Sequence, residues 1–336
     1  MSAAKRTLPF NILKTGHVEL RVTDIDRARD FYVGLLGLTE TERIGDRLYL
    51  RCLEDWEHHS LILRQAESGG VGHIGYRVEG EEDLDALFTL ARERGLSARW
   101  VEPDEEPGQG RALRISDPMG FPVEFYHQVT RVPRLLQEFH LYRGPNIMRI
   151  DHVNLHVPDV TAAETWYAND LGFRRAEYTE TEEDEPKVWA TWLHRKQNVH
   201  DVALMTGPGP RLHHVGFWTQ ESSNVLRAAD ILSAAGYEAN LERGPGRHGI
   251  SNAMFLYLLD PDGNRIELYT SDYLIPDPDF EPIRWRLNDP KRQTYWGQPA
   301  PQSWFNNSSL VENFTGDGFV ELTTPEMADR PTFIGH

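Results

Sequence analysis

Cysteine is almost absent from this chain. Cys52 stands alone among 336 residues, so neither an intramolecular disulfide nor a cysteine-built zinc site can form. Positive charge is also short, with 35 Lys and Arg against 52 Asp and Glu and a formal charge of −17. No basic stripe breaks that excess, which argues against nucleic acid as a partner. No apolar run approaches the roughly 20 residues that span a bilayer, and Lys5 and Arg6 precede no sustained apolar region of a signal-peptide kind. The expectation is a cytoplasmic protein with no membrane contact. What is present is ordinary for a globular protein: 39% hydrophobic and 26% charged residues, in a chain long enough for two domains with their own cores.

The strongest organising signal is self-similarity. His17-Val18-Glu19-Leu20-Arg21-Val22, followed by Phe31-Tyr32 and Leu36-Gly37-Leu38, is echoed by His152-Val153-Asn154-Leu155-His156-Val157, followed by Trp166-Tyr167 and Leu171-Gly172-Phe173. A later pair repeats as well. Gly72-His73-Ile74-Gly75-Tyr76 matches His213-His214-Val215-Gly216-Phe217, and Asp117-Pro118-Met119-Gly120 with Glu124 matches Asp260-Pro261-Asp262-Gly263 with Glu267. Each half therefore reads as two modules of strand, helix and further strands. Asp24 and Asp159 are expected N-caps of helices of about a dozen residues ending near the Leu-Gly pairs. Further helices are expected over 82–94 and 222–235, and the Asp-Pro-x-Gly runs read as tight turns.

These patterns predict an α+β chain in which curled sheets carry helices on their outer faces. The expected divisions are an N-terminal arm (1–16), a paired βαβββ domain (17–127), a linker helix (128–149), a second, catalytic paired βαβββ domain (150–270) and an irregular tail or lid (271–336), rich in Pro, Asn and Trp.

Chemistry concentrates in the second half. His152, His214 and Glu267 occupy matching places in strand-like runs, and two imidazoles with one carboxylate can grip a divalent ion from one side and leave the other open. That is the ligand preference of non-haem iron sites that activate dioxygen. One strand histidine is more often a satisfied core residue; three ligand-type residues together at equivalent repeat positions favour a metal.

The modules and the triad, with Trp192-Leu193-His194-Arg195-Lys196-Gln197, Arg243-Gly244-Pro245-Gly246-Arg247-His248-Gly249 and Asp260-Pro261-Asp262-Gly263, resemble the vicinal oxygen chelate (glyoxalase-like) superfamily. Within it the chain resembles the type I extradiol dioxygenases, most of all the homoprotocatechuate (3,4-dihydroxyphenylacetate) 2,3-dioxygenase group. The resemblance implies Fe(II), less often Mn(II), a homotetramer, and insertion of both atoms of O2 into a substituted catechol to give a muconic semialdehyde. His200 is the expected acid–base residue, since a histidine titrates in the range such proton transfers need. Tyr257 is expected to hydrogen-bond a catechol oxygen, and Asn154 and Trp192 resemble pocket-lining positions. Arg243, His248 and Arg292 suit a substrate carboxylate. Position 293 is Gln where the group carries a second arginine, which leaves plain or alkyl catechols open.

The first half keeps the same residue types: His17, His73 and Glu124, with His59 where His200 falls. Arg114, however, stands at the place of Tyr257. A guanidinium there repels a cation and pairs with Glu124, so the expectation is a triad without metal. Competing readings are a metal-dependent glyoxalase or thiol transferase and a non-catalytic small-molecule-binding protein of the same fold.

Overall fold

The computed structural model describes residues 8–332. The first seven residues of the expected N-terminal arm and the last four of the tail lie outside the described residues. In the first half, strands β1 (Ile12–Val22), β2 (Thr39–Ile44), β3 (Arg47–Arg51), β4 (Leu61–Gln65), β5 (Gly70–Val78), β6 (Ala98–Val101), β7 (Ala112–Ser116) and β8 (Pro122–Tyr126) form one sheet in the order β2-β3-β4-β1-β5-β8-β7-β6. The second half repeats it with β9 (Ile147–Val157), β10 (Arg174–Glu180), β11 (Val188–His194), β12 (Val202–Thr206), β13 (Arg211–Thr219), β14 (Leu241–Arg247), β15 (Met254–Leu259) and β16 (Arg265–Thr270). Each sheet joins two βαβββ modules through one antiparallel central pair, β1 with β5 and β9 with β13.

Alternation explains the layers. Val18, Leu20 and Val22 of β1, and Val153, Leu155 and Val157 of β9, enter the core, while His17, Glu19, His152 and Asn154 take the other face. Helices α2 (Glu81–Glu93) and α4 (Ser222–Ala234) bury Leu84, Leu87 and Ala91, and Val225, Ala228 and Leu232. That is the spacing of one helical stripe, and both helices fall within one residue of expectation. Asp24 caps α1 (Ile25–Arg29), accepting from Asp26 N and Arg27 N, and Asp159 caps α3 (Val160–Glu164), accepting from Ala162 N. Both helices continue as a wider π turn, to Leu35 and to Asp170. The core is continuous across the halves: Phe173 of the second half meets Tyr76 of the first edge-on at 5.6 Å.

Two expectations need correction. The segment 128–149 is not a helix; before β9 begins at Ile147, its one helical element is a short 3-10 turn, Phe139–Leu141. Its backbone is drawn out by the first half, with Thr130 N donating to Gly108 O, Val132 N to Trp56 O, and Arg51 donating to Pro133 O. Pro133 has no N–H to extend a helix. The first strand also begins at Ile12, so the arm is shorter than 1–16. The tail is irregular as expected, but it is anchored at several points. β17 (Ile283–Arg286) adds to the edge of β10, helices α5 (Pro290–Gln293) and α6 (Gln302–Asn306) follow, and β18 (Ser309–Leu310) pairs with the start of β13. Beyond it Glu312 pairs with Arg21 and Arg64 of the first half.

Candidate metal centre

The order β16-β13-β9 puts three neighbouring strands under the expected ligands. Gly216 lies across from both His152 and Glu267 in the ladder, and Asn154 lies across from His214. The missing side chain at Gly216 makes room for His152. His152 Nε2 stands 3.2 Å from His214 Nε2 and 2.9 Å from Glu267 Oε2, and His214 Nε2 is 3.1 Å from the same oxygen. Atoms about 2.1 Å from a shared ion and at right angles about it stand about 3.0 Å apart. The three atoms thus form the triangular face that a six-coordinate divalent ion accepts, and the donor set suits Fe(II) or Mn(II).

Each histidine is held through its other nitrogen, the support that metal-ligating imidazoles need. His152 Nδ1 is 3.3 Å from Asp151 Oδ2, and that carboxylate also receives Tyr269 and, at 2.8 Å, the Asn198 amide. His214 Nδ1 is 2.7 Å from His213 Nδ1. The sequence reading missed Asp151 and His213. Strand alternation sends the residue before a ligand to the opposite face, but both sit where the β9–β13 register slips, and such a bulge re-aims a side chain. The only available signals were the adjacent pairs Asp151-His152 and His213-His214.

Electrostatics fit a cation site. Burial would depress His152, but Asp151 and Glu267 outweigh it and hold it up at about 9. Burial brings His214 down to about 4 despite Glu267. Burial also works to raise Glu267, yet hydrogen bonds from His152 and His214 keep it well below the usual carboxylate range. A proton between His152 and Glu267 must leave when a cation arrives.

The wall of the cavity contains Asn154, Trp192, His200, His248, Tyr257, Arg292 and Gln293, together with Met205, Ile250, Tyr269 and Trp304. His200 is buried, its ring centroid 4.0 Å from that of His152, and its Nδ1 has no hydrogen-bond partner. Burial, then the nearby His152, keeps it well below the usual histidine range, so its imidazole is neutral. His248 Nδ1 lies 2.5 Å from Gln293 O, which fixes a proton on that nitrogen, and Nε2 takes the Tyr257 hydroxyl at 2.9 Å. Burial raises Tyr257 well above the usual phenol value, so it keeps its proton.

Arg243 is not on the cavity wall. It stacks on Trp304 at 4.6 Å and donates to Gln293 O and Thr294 Oγ1, one layer behind. Arg292 is on the wall, 2% exposed, with Nε and Nη2 unpartnered. Burial lowers both guanidiniums to about 10, still charged at neutral pH. Among the described residues neither forms an ion pair with a carboxylate.

The first-half triad differs in shape. His17 and His73 Nε2 are 3.0 Å apart, but Glu124 Oε1 lies 3.6 and 4.0 Å from them. Arg114 takes the other Glu124 oxygen through Nε at 3.0 Å and through Nη2, and that Nη2 is 3.3 Å from His73 Nε2; Gln109 donates to Glu124 Oε1 at 2.7 Å. The residues matching Asp151 and His213 are Gly16 and Gly72. Accordingly His17 Nδ1 has no hydrogen-bond partner, and His73 Nδ1 has only Glu19, 3.9 Å away and out of reach.

The chain matches the family model described as the Glyoxalase/Bleomycin resistance protein/Dioxygenase superfamily over residues 14–125 and 149–268. It is 36% identical over 302 residues to a manganese-dependent 2,3-dihydroxybiphenyl 1,2-dioxygenase of Geobacillus genomosp. 3, covering 86% of this chain and 94% of the relative. It is 31% identical over 317 residues to a metapyrocatechase of Geobacillus stearothermophilus, covering 90% and 95%. Among solved structures, homoprotocatechuate 2,3-dioxygenase of Brevibacterium fuscum in complex with 3,4-dihydroxyphenylacetate superposes with a TM-score of 0.90 at 40% identity, covering 95% of this chain and 99% of that one.

Proposed function

We propose a substrate and residue roles from one premise: the chain belongs to the Glyoxalase/Bleomycin resistance protein/Dioxygenase superfamily, and within it to the extradiol catechol dioxygenases. It is a ring-cleaving oxidoreductase that works with a divalent metal, Fe(II) or Mn(II), on a catechol and O2. The substrate we propose is a catechol whose side chain ends in a carboxylate, of the 3,4-dihydroxyphenylacetate type. The observation that carries this is Arg292, a buried cation at the cavity wall with unpartnered Nε and Nη2 and, among the described residues, no ion pair to a carboxylate. A buried charge is costly until it is paired, and an anionic side chain on the substrate pairs it. Arg243 supports the same reading from behind, by adding positive charge and by fixing the Gln293 carbonyl that orients His248.

In this reading His152, His214 and Glu267 hold the ion. When bound, it supplies positive charge and open coordination positions where catechol and dioxygen are brought together. The chain's own residues do the rest. His200, neutral and with a free ring nitrogen, takes a proton from a catechol hydroxyl and returns it to the product oxygen. Tyr257, held by His248, meets the other catechol oxygen. Asn154 contacts the ligand from the strand beside His214, and Trp192, Ile250 and Trp304 form the walls that exclude water. The first half binds no ion, since Arg114 already neutralises Glu124. A cytoplasmic homo-oligomer, tetrameric by family resemblance, completes the proposal; Phe139 and Leu141, exposed together near the junction of the halves, support a subunit contact.

The test is turnover by the Fe(II)- or Mn(II)-loaded enzyme of 3,4-dihydroxyphenylacetate, 4-methylcatechol and 2,3-dihydroxybiphenyl, each added without air and then aerated. A yellow semialdehyde forming with the highest kcat/KM from the carboxylate substrate is expected. A preference for either uncharged catechol sinks the substrate assignment.

A further inference from the structure

His213 is not a ligand, and the reaction outlined above does not use it. It is fully buried, between the ligand strand and the tail. If His214 binds an ion through Nε2, its proton sits on Nδ1 and must donate to His213 Nδ1, 2.7 Å away. That leaves His213 with its own proton on Nε2, which points at the backbone carbonyl of Trp304, 2.9 Å away. One tautomer pattern therefore satisfies every group in the chain His214–His213–Trp304. The His213 ring also meets the Trp304 indole edge-on at 4.3 Å, and that indole meets the Tyr257 ring at 4.2 Å.

The same tail segment is gripped from beneath. Arg265 donates to the carbonyls of His213, Ser303 and Asn307, at 3.1, 3.2 and 2.8 Å, while paired with Glu242. Helix α6 is thus tied to the ligand strand by an imidazole that lies within hydrogen-bond distance of both His214 and the Trp304 carbonyl. The first half supplies the contrast. There the position is Gly72, whose absent Cβ would stand 2.0 Å from Glu19 Oε1, and the matching ligand-type His73 lacks a partner on Nδ1.

We propose that His213 is a positioning residue that couples the metal ligand His214 to the tail helix, so that metal binding and closure of Gln302–Leu310 over the cavity reinforce each other. This rests on the metal-centre reading above. The measurements are Mn(II) affinity by chelator competition and hydrogen exchange of residues 302–310 with and without Mn(II). In the wild type, Mn(II) is expected to slow exchange in that segment. His213→Leu should weaken Mn(II) about 10- to 100-fold and abolish the metal's effect on tail exchange. His213→Asn keeps an acceptor near His214 Nδ1 but falls short of the Trp304 carbonyl. It should bind Mn(II) within a few-fold of wild type while the tail no longer responds.

Wild-type affinity for His213→Leu, or tail exchange in His213→Asn that still follows Mn(II), overturns the coupling while leaving the metal centre intact. A wild-type chain that binds no Mn(II), or binds it equally well as His214→Ala, overturns the metal-centre reading and the coupling with it. If His213→Leu does not fold, the exchange behaviour of His213→Asn decides alone.

Discussion

At Gly216 the backbone passes so close to the His152 ring that a Cβ would stand 2.2 Å from Cε1, and Gly75 stands in the same relation to His17, at 2.3 Å. Both halves therefore preserve the space for a ligand-type histidine, and only the surroundings separate a metal site from a charge-neutral cluster. Arg114 and Arg292 illustrate how. Arg114 is paired with Glu124 within the protein, whereas Arg292 lines the cavity with Nε and Nη2 unpartnered and no ion pair among the described residues. Truncating one partner of a buried, hydrogen-bonded charge pair costs about 2–5 kcal/mol. Arg292→Met is therefore expected to lower kcat/KM for 3,4-dihydroxyphenylacetate by about a hundredfold and to leave 4-methylcatechol within a few-fold. Steady-state rates on the two substrates measure the split. Equal losses on both make Arg292 a packing residue and remove the carboxylate argument.

Among the elements, the two Asp-Pro-x-Gly turns carry a testable electrostatic burden. Asp117 accepts from the backbone of Met119 and Phe121 through Oδ1, but Oδ2 is buried without a partner. Burial, opposed by those backbone donors, pushes its carboxyl up to about 7. A carboxyl that holds its proton more tightly folded than unfolded, where the pKa is about 3.9, loses the protein stability as pH climbs from there to 7. The loss is complete above 7 and absent below about 4. Asp117→Asn keeps the Oδ1 acceptor and removes the charge. Its denaturation midpoint should gain on wild type between pH 5 and pH 8, by at most about 1.4 kcal/mol for each unit crossed. A gap independent of pH refutes the buried charge.

The turns themselves were legible, as were the helix caps and the two long helices, because their causes are local: Asp before a first turn, Gly at a left-handed φ, apolar residues at helical spacing. The triad was legible because the repeat supplied an internal comparison. Segment 128–149 misled because the first half's loops, not its own Leu-Leu spacing, claim its hydrogen bonds. Asp151 and His213 were hidden by bulges that no alternation rule anticipates. Trp304 was hidden because a cavity wall supplied by the tail about 50 residues downstream of Tyr257 has no local signature.

For the molecule as a whole, the first half has a task that needs no metal of its own, visible at Asp201. This fully buried carboxylate follows His200 directly and accepts from Thr15 N of β1 at 2.9 Å, from Arg195 N at 2.6 Å and from Lys196 N at 3.0 Å. Thr15 Oγ1 returns a bond to the Asp201 carbonyl at 3.0 Å, which also takes Val153 N beside His152. Arg195 reaches back to Ile12 O. The first strand of the first half therefore fixes where His200 stands over the ligands. Placement errors near 1 Å can cost about a hundredfold in rate, and direct loss of an acid–base group about 10²–10⁴-fold. His200→Phe should show that larger loss with one metal equivalent per chain retained. Asp201→Asn, which replaces one accepting oxygen by an NH2 facing either Thr15 N or the Arg195 and Lys196 N–H groups, should lower kcat about ten- to a hundredfold, also with one equivalent retained. Metal analysis beside single-turnover rates distinguishes the cases. Two equivalents in the wild type would restore a metal to the first half, and an unchanged kcat in Asp201→Asn would leave that half no part in holding His200.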